Sequence, residues 1–397
     1  MPSATETMVF LTGLTGLVGS AAVTALARPE TGYRFVCLVR GGNGKSAEER
    51  ARAAVADECR FEGRPEAAET VMRRLTVVDG DVTAIDPEKL AADPRLADVS
   101  VILHCAADVN LGKDPSGNVF RVNYDGTKNV VDLARRLRVR EFHYVATAYV
   151  AGKLTGTAYE NAPTTANGFN NPYEESKCRA ELLVRAAGIP FTVYRPAIIV
   201  GRRADGRIRK PLAFYRILEF LLKLKGHQAS RTKQDPAGWI DLNIHCSTVP
   251  SKHVYFVPID YVQAAIATLF PRLAEGATYH LTGAHPVSTE QIWEAVCRVM
   301  RIDGIDVGAG DKLETAEERM FSRFIGDLFP YFSSDIVFDQ TNIRRAWPAA
   351  AEWDYGPDDL EKMVRSYFAD YHPSVDWAQK FINITPDRNP RHAGKNL

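Results

Sequence analysis

The chain has 397 residues, and its 49 Lys and Arg are balanced by 49 Asp and Glu, so the formal net charge is zero. Because proteins that bind nucleic acid usually carry a basic surplus, this balance predicts no nucleic-acid partner. No apolar run approaches the roughly 18 residues that indicate a transmembrane helix, so no transmembrane segment is expected. The N-terminus lacks the basic and apolar regions of a signal peptide. Six cysteines far apart in sequence predict reduced thiols, no metal site and a cytoplasmic protein.

Apolar runs alternate with helical patterns through the first half of the chain. The apolar runs predict strands at residues 8–11, 33–39, 75–78, 99–103, 142–146 and 191–194. Helical spacing predicts helices at residues 17–27, 119–137 and 172–187. Strands that alternate with helices form βαβ units, so the expected fold class is α/β, a Rossmann-like doubly wound parallel sheet.

The pattern changes after Gly201. The sequence predicts an amphipathic helix at residues 211–226 and a polar loop or lid at residues 228–252. It also predicts two late strands, at residues 255–257 and 279–281. A capping box at residues 288–291 begins a further helix, and the stretch from Pro386 is expected to fray. We therefore expect two interleaved parts: a Rossmann-like domain over residues 1–201, and a smaller, mostly helical substrate-binding region over residues 202–397 that returns late strands to the first sheet.

A glycine-rich turn follows the first predicted strand. Residues 12–19 read TGLTGLVG, with glycines at positions 13, 16 and 19. Glycines permit a tight turn, let the backbone approach a pyrophosphate and let the helix pack closely on the strand. The N-terminus of the next helix offers N–H groups and a positive dipole end to phosphates. The place of this motif between a strand and a helix indicates a dinucleotide-binding site.

The end of the second predicted strand indicates which dinucleotide binds. Arg40 stands where NAD-preferring folds place Asp or Glu to bind the ribose hydroxyls, and Lys45 and Arg50 follow it. A guanidinium cannot accept a hydrogen bond from a ribose hydroxyl, but it pairs well with a 2′-phosphate. The cofactor is therefore predicted to be NADPH, and the alternative is that Arg40 is merely exposed to solvent.

Tyr173 and Lys177 lie four residues apart, on the same face of a predicted helix. A tyrosine has a reference pKa of about 10, and a nearby ammonium lowers that pKa by favouring the phenolate. The phenol can donate a proton to a substrate oxygen as hydride reaches the carbon, which is general-acid catalysis. Thr147 ends the preceding strand and directs a hydroxyl toward the same crevice. The predicted catalytic residues are therefore Thr147, Tyr173 and Lys177.

Motifs in this order resemble those of extended short-chain dehydrogenase/reductases, over roughly residues 8–201. They are TGLTGLVG at 12–19, GDV at 80–82, HCAA at 104–107, NYDGT at 123–127, YVATAYVAG at 144–152, YEESK at 173–177 and YRPAIIVG at 194–201. The segments CLVR, HCAADVN, ATAYVAG and NNPYEESK are most similar to the thioester-reductase and fatty acyl-CoA reductase branch, the male-sterility type. Thr147 stands where many members carry Ser, and it keeps the hydroxyl.

The resemblance implies an oxidoreductase that uses NADPH to reduce an acyl thioester, on coenzyme A or on an acyl or peptidyl carrier protein. The product is an aldehyde, and a second reduction to the alcohol stays open. The resemblance also implies that Asp81 and Val82 flank the adenine, that Ala106 and Ala107 line the cofactor, and that Pro196 abuts the nicotinamide. The full set of expected cofactor-binding residues is Gly13, Thr15, Gly16, Leu17, Val18, Gly19, Arg40, Arg50, Asp81, Val82, Cys105, Ala106, Ala107, Lys177, Pro196 and Ile199.

Two features of the second half fit a thioester substrate, and each has a plainer alternative. Five cations within nine residues suit the phosphates of coenzyme A or an acidic carrier protein, or they form a solvated charge run. They are Arg202, Arg203, Arg207, Arg209 and Lys210. The apolar residues at helical spacing between Leu212 and Leu224 suit an acyl tunnel, or they form a packed core helix.

Other functions fit the same scaffold, because a fold does not fix a function. A sugar-nucleotide epimerase or dehydratase, or a hydroxysteroid-type dehydrogenase, is one alternative, but sugar-nucleotide enzymes usually keep bound NAD, against which Arg40 argues. A non-catalytic NADPH sensor is another, but such proteins tend to lose Tyr173 or Lys177. A nucleophilic Cys105 is a third hypothesis, although a buried cysteine usually behaves as a small hydrophobic residue.

Overall fold

The computed structural model describes residues 6–247, 253–308 and 315–383. In chain order, the strands are β1 (Thr7–Thr12), β2 (Tyr33–Val39), β3 (Leu75–Asp79), β4 (Val99–His104), β5 (Glu141–Val145), β6 (Gly156–Ala158), β7 (Phe191–Pro196), β8 (Ile198–Val200), β9 (Ile240–Ser247), β10 (Phe256–Pro258), β11 (Ala277–Leu281), β12 (Ile302–Gly308) and β13 (Ile336–Phe338).

The α-helices are α1 (Leu17–Leu26), α2 (Ala47–Phe61), α3 (Ala68–Met72), α4 (Pro87–Ala91), α5 (Asn118–Phe120), α6 (Gly126–Leu137), α7 (Pro172–Arg185), α8 (Tyr215–Thr232), α9 (Ile259–Leu269), α10 (Thr289–Met300), α11 (Ala316–Ile325), α12 (Phe329–Phe332), α13 (Thr341–Ala346), α14 (Pro357–Tyr371) and α15 (Asp376–Ile382). Within the described ranges, no helix is both long enough and apolar enough to cross a membrane.

Seven strands form one parallel sheet, in the order β11-β7-β5-β4-β1-β2-β3. Its inner strands read as nearly continuous apolar runs, such as Val9-Phe10-Leu11, because helices cover both faces of a parallel sheet. The chain builds outward from β1 in both directions, through β2 on one side and β4 on the other. Such a reversal opens a crevice at the carboxyl ends of the strands, and the predicted Rossmann-like α/β class is confirmed.

The chain divides into two compact units. The first includes the residues up to Ala197 and the segments 259–282 and 338–351. The late strand predicted at 279–281 is present as β11, and it adds to the edge of the sheet beside β7. The helix α9 packs on α1 within this unit, so the first unit gathers distant stretches of sequence around one sheet.

The second unit comprises residues 198–258 and 283–337 and the segment from Glu352 onward. It holds two short parallel pairs, β8 with β10 and β9 with β12. The capping box at Ser288 is present, since the Ser288 hydroxyl accepts from Gln291 N–H and the Gln291 side chain accepts from Ser288 N–H. The helix predicted at 211–226 is present as α8, which begins later, at Tyr215, and ends later, at Thr232.

The loop predicted over residues 228–252 is wrong for most of its length. α8 continues to Thr232, and β9 occupies residues 240–247. In β9, Ile240, Leu242 and Ile244 are buried while Asp241 and Asn243 are exposed. This alternation is typical of a strand with one solvated face. Because polar residues interrupt the apolar ones, the segment contains no apolar run that would predict a strand. Residues 248–252, and the stretch from Pro386 that was expected to fray, lie outside the described residues.

Candidate active site

The turn between β1 and α1 has a backbone that only glycine permits. Gly13 has a φ of 83°, in the left-handed region that other residues rarely adopt, and a Cβ there would lie 2.6 Å from Ala106 N. A Cβ on Gly19 would overlap the carbonyl oxygen of Gly13, so α1 packs directly on the turn. Gly16, the N-cap of α1, provides no side-chain cap. This arrangement suits phosphate oxygens, which would accept hydrogen bonds from backbone N–H groups at the start of α1.

A chain of buried hydrogen bonds extends from this turn. Ala106 N–H donates to Thr12 Oγ1 at 3.3 Å, and Thr12 Oγ1 lies 2.6 Å from His104 Nδ1. On the other side of the ring, His104 Nε2 lies 2.9 Å from Thr127 Oγ1, which itself donates to Asn123 O at 2.5 Å. Because the Thr127 hydroxyl has one proton, it accepts from His104 Nε2–H, and His104 Nδ1 accepts from Thr12. Burial lowers the pKa of His104 to about 3, so His104 is neutral. This role of His104 in the buried hydrogen-bond chain was not predicted from the sequence.

The carboxyl ends of β2 and β3 bring together Arg40, Arg50 and Asp81. Arg40 Nη1 donates to Asp81 Oδ2 at 2.9 Å, yet 65% of the Arg40 side chain stays exposed. Arg50 donates to the Arg40 carbonyl. Partial burial alone would raise the pKa of Asp81, but hydrogen bonds from Thr83 and Arg40 lower that pKa overall. The ionised Asp81 carboxylate thus holds the exposed Arg40 guanidinium at the carboxyl ends of the strands, where the glycine-rich turn also lies.

The other residues expected at the cofactor also follow strand ends of the first unit, with one exception. Val82 packs against Gly126, since a Cβ on that glycine would lie 2.9 Å from Val82 Cγ2. Ala106 and Ala107 follow β4, and Pro196 ends β7. Ile199 lies on β8, which belongs to the second unit.

The Thr147 side chain lies close enough to Tyr173 to influence the pKa of the phenol. Thr147 Oγ1 also lies 3.4 Å from Pro196 O and accepts from Tyr149 N–H at 3.3 Å. Burial raises the pKa of Tyr173 to about 12, although the Thr147 side chain lowers it. The predicted lowering of this pKa is therefore wrong, because desolvation outweighs stabilisation of the phenolate. A protonated phenol beside a second hydroxyl is the form that can donate a proton.

Lys177 is almost completely buried, at 1% exposure. Its Nζ donates to Val145 O at 2.7 Å and lies 4.3 Å from the centroid of the Tyr144 ring. Burial lowers the pKa of Lys177 to about 7, while Cys105 and Glu181 raise it. The ammonium is therefore fixed against the end of β5, and its charge is sensitive to pH near neutrality.

Hydrogen bonds at both ends hold α7, the helix that carries this pair. At its start, the Asn171 side chain accepts from Glu174 N–H at 3.0 Å. Farther along, Arg195 of β7 donates from Nε to Glu181 Oε2 at 2.9 Å and from Nη2 to Glu181 Oε1 at 2.7 Å. Arg195 and Glu181 are 2% and 0% exposed, so loss of Glu181 would leave the buried Arg195 guanidinium without its carboxylate partner. The roles of these four residues in holding α7 were not predicted from the sequence. Only the N-cap spacing of Asn171 before Pro172 is a local signal.

A π-helical turn at Arg121–Asp125 carries another positioning side chain, Asn123. Asn123 Nδ2 donates to Asp108 O at 2.9 Å and to Ser176 Oγ at 3.0 Å, and Asn123 Oδ1 accepts from Asp108 N–H at 2.8 Å. Ser176 Oγ in turn donates to Tyr173 O at 2.9 Å. Turns of this kind often mark functional sites, and this one joins the segment after β4 to the backbone of the predicted general acid.

Cys105 lies beside this group of residues, but its chemistry does not suit a nucleophile. Burial raises the pKa of the Cys105 thiol to about 12, although the charge of Lys177 lowers it. The thiolate is the nucleophilic form of cysteine, so Cys105 is unreactive at neutral pH.

Residues 11–266 match the NAD-binding family model whose description is male sterility protein. The match covers more than half of the chain. The chain belongs to the male sterility protein family. It accordingly has a binding domain for a nicotinamide cofactor, of the extended short-chain dehydrogenase/reductase type.

Two curated relatives that are named as reductases are much longer than this chain. Aldehyde reductase lnaA of Aspergillus flavus is 28% identical over 383 residues, which cover 86% of this chain and 34% of that protein. Carboxylic acid reductase of Segniliparus rugosus is 29% identical over 303 residues, which cover 70% of this chain and 24% of that protein. The matches thus span about a third or less of these relatives.

A solved structure shares the fold of this family member. It is the terminal R domain from the myxalamid PKS-NRPS biosynthetic pathway, with a TM-score of 0.73 and 22% sequence identity. The alignment covers 93% of this chain and 92% of the R domain.

The cations predicted to bind the substrate carrier are largely engaged within the second unit. Arg202 forms an ion pair with Asp205, and Arg207 Nε lies 2.8 Å from Asp370 Oδ2. Arg203 Nη1 donates to a backbone carbonyl at 3.2 Å. These contacts favour the plainer alternative, a charge run that serves local structure, for at least three of the five residues.

The apolar face of α8 also favours the plainer alternative. Leu218 and Leu221 are completely buried, and the Phe220 ring packs against Phe321 and Phe324 of α11, with centroids 5.4 and 5.2 Å apart. This face forms a packed core of the second unit, and an acyl tunnel along α8 stays a prediction.

Proposed function

We propose that this protein reduces an acyl thioester, carried by coenzyme A or by an acyl or peptidyl carrier protein, to an aldehyde, with NADPH as the reductant. The observation that carries the proposal is that Lys177 Nζ, one helical turn after Tyr173 on α7, donates to Val145 O, two residues before Thr147. The names of its relatives support the reaction, since they include an aldehyde reductase and a carboxylic acid reductase. We infer that the Rossmann-like part, residues 1–201, binds the cofactor and that the region from residue 202 binds the substrate.

Each of the three side chains has a distinct part in this reaction. When bound, the reduced nicotinamide supplies a hydride to the thioester carbonyl carbon. Tyr173, protonated at neutral pH, donates its proton to the carbonyl oxygen, and the Thr147 hydroxyl donates a hydrogen bond to the developing oxyanion. The charge of Lys177 stabilises the phenolate that remains. The hemithioacetal then releases the thiol and the aldehyde, and Tyr173 is reprotonated from solvent.

A substrate panel tests this function. The purified protein is mixed with NADPH and, separately, with an acyl-CoA, a carrier-bound acyl thioester, a free aldehyde and a sugar nucleotide. We expect NADPH oxidation with a thioester and release of an aldehyde, identified by mass spectrometry. Turnover of the sugar nucleotide alone would instead favour an epimerase or dehydratase, and no turnover with any carbonyl compound would favour a sensor. Alcohol as the final product would show that the same site acts twice.

The preference for NADPH is proposed from the exposed guanidinium of Arg40. We expect Arg40→Ala to lower kcat/KM for NADPH by about 10- to 100-fold, the equivalent of one charge-assisted hydrogen bond, and to leave kcat/KM for NADH nearly unchanged. Arg34→Ala is the matched control, because the Arg34 side chain is 42% exposed but pairs with Glu6 near the start of β2, whereas Arg40 follows the end of that strand. Steady-state kinetics with both cofactors measure the effect. A wild-type preference for NADH, or an equal loss with both cofactors, would contradict the assignment.

A further inference from the structure

The buried ammonium of Lys177 lies over the face of an aromatic ring from another element. Its Nζ is 4.3 Å from the ring centroid of Tyr144, on β5. Tyr144 is completely buried, and Lys177 is 1% exposed. A cation within about 6 Å of a ring centroid is attracted to the negative face of the ring, and this attraction strengthens when both groups are removed from water. The contact therefore opposes the desolvation that favours neutral Lys177.

A second ring, that of His104, also contacts Tyr144. The His104 ring stacks on Tyr144, with centroids 5.6 Å apart and planes 20° apart. Burial, and after it the charge of Lys177, lowers the pKa of His104, so the ring is neutral. A protonated His104 would repel the Lys177 ammonium, so a neutral His104 ring favours the charged form of Lys177.

The other titratable groups that face Lys177 come from β4 and from its own helix. Beyond His104, they are Cys105, after β4, and two residues of α7: Glu181, and Tyr173 one turn before Lys177 on the same helix face. Cys105 is a protonated thiol at neutral pH, and Glu181 is already bound by Arg195 and Arg185. The groups in direct contact with the ammonium are therefore the Val145 carbonyl and the Tyr144 ring.

We propose that Tyr144 is a positioning residue whose ring keeps Lys177 charged and thereby sets the upper pH limit of the reduction. The proposal deepens the function proposed above, because it rests on the assignment of Lys177 to the reacting group. The ring acts through Lys177 and needs no contact with substrate. Neutral Lys177 no longer stabilises the Tyr173 phenolate, so turnover is lost as pH rises through the pKa of Lys177.

Graded fluorination of the ring tests the proposal without changing the shape of the core. Tyr144→Phe is compared with the protein that carries 3,4,5-trifluorophenylalanine at position 144, because fluorine withdraws charge from the ring face. Lys177 is titrated by NMR of protein labelled with ¹³Cε-lysine, and its signal is assigned with Lys177→Met. We expect Tyr144→Phe to retain the wild-type pKa of Lys177. The fluorinated ring is expected to lower it by about one unit and to move the alkaline limb of the pH–kcat profile by the same amount.

The control carries the same fluorinated residue at position 142. Phe142 lies two residues earlier on β5 and contacts His104, at 6.3 Å between ring centroids, so its fluorination should leave the Lys177 titration unchanged. An unchanged Lys177 pKa with the fluorinated ring at position 144, or a shifted pKa without a shifted pH profile, would overturn the proposal. The titration needs no substrate. A protein that shows the pKa shift but reduces no thioester would therefore contradict the proposed function and leave the Tyr144–Lys177 contact standing.

Discussion

Tyr173→Phe is expected to lower kcat for thioester reduction by about 10²- to 10⁴-fold, the usual contribution of a positioned general acid. The substitution removes only the phenolic hydroxyl and keeps the ring. The pKa of Tyr173, raised to about 12 by burial, keeps the proton on the phenol at neutral pH. The variant has no proton to give, so the developing oxyanion is left with the Thr147 hydroxyl alone.

Single-turnover kinetics with saturating NADPH and an acyl-CoA measure this loss at the chemical step. Tyr159→Phe is the matched control, because Tyr159 is 59% exposed and loses the same hydroxyl. We expect that variant to retain the wild-type kcat. The affinity for NADPH should be nearly the same in both variants. A Tyr173→Phe enzyme with kcat close to that of Tyr159→Phe would remove Tyr173 from the proton-transfer step.

The first half of the fold could be predicted because parallel strands leave a strong local signal. Each buried strand, such as Val9-Phe10-Leu11, is a run of apolar residues with helices on either side. β9 was missed because one of its faces is polar, and its partner β12 follows about 60 residues later in the chain. Pairing over such a distance has no signature in local periodicity.

The candidate site shows the same difference between local signals and contacts that join distant segments. Thr147, Tyr173 and Lys177 could be proposed because their spacing and their place after strands reflect local geometry. The buried chain that joins His104 to Thr12 and Thr127 could not, because these residues come from segments far apart in sequence. The direction of the Tyr173 pKa was wrong for a related reason. Spacing on a helix indicates which charges are near, but burial depends on the whole fold.

Gly19→Ala is expected to damage both stability and cofactor binding, although alanine is the better helix former. Gly19 lies inside α1, and a Cβ there would overlap the backbone of Gly13. Backbone cannot move aside by changing a rotamer, so α1 must shift away from the turn. Overpacking of this kind costs about 1–3 kcal/mol, more than the helix gain of about 1 kcal/mol from replacing glycine. A displaced α1 also moves its N-terminal N–H groups from the phosphates.

Gly226→Ala makes the same change in the interior of α8, where the nearest atom to a new Cβ is Trp377 Cζ2 at 3.5 Å, an ordinary contact. Urea unfolding should show Gly226→Ala equal to or slightly more stable than the wild type, and Gly19→Ala less stable. In fluorescence titrations with NADPH, we expect Kd to rise about tenfold or more for Gly19→Ala only, the equivalent of at least about 1.4 kcal/mol. If the two variants behaved alike, close packing of α1 on the turn would not be what forms the phosphate site. A loss of affinity confined to Gly19→Ala would instead tie the glycine at position 19 to that packing, since both substitutions add the same methyl group to a helix.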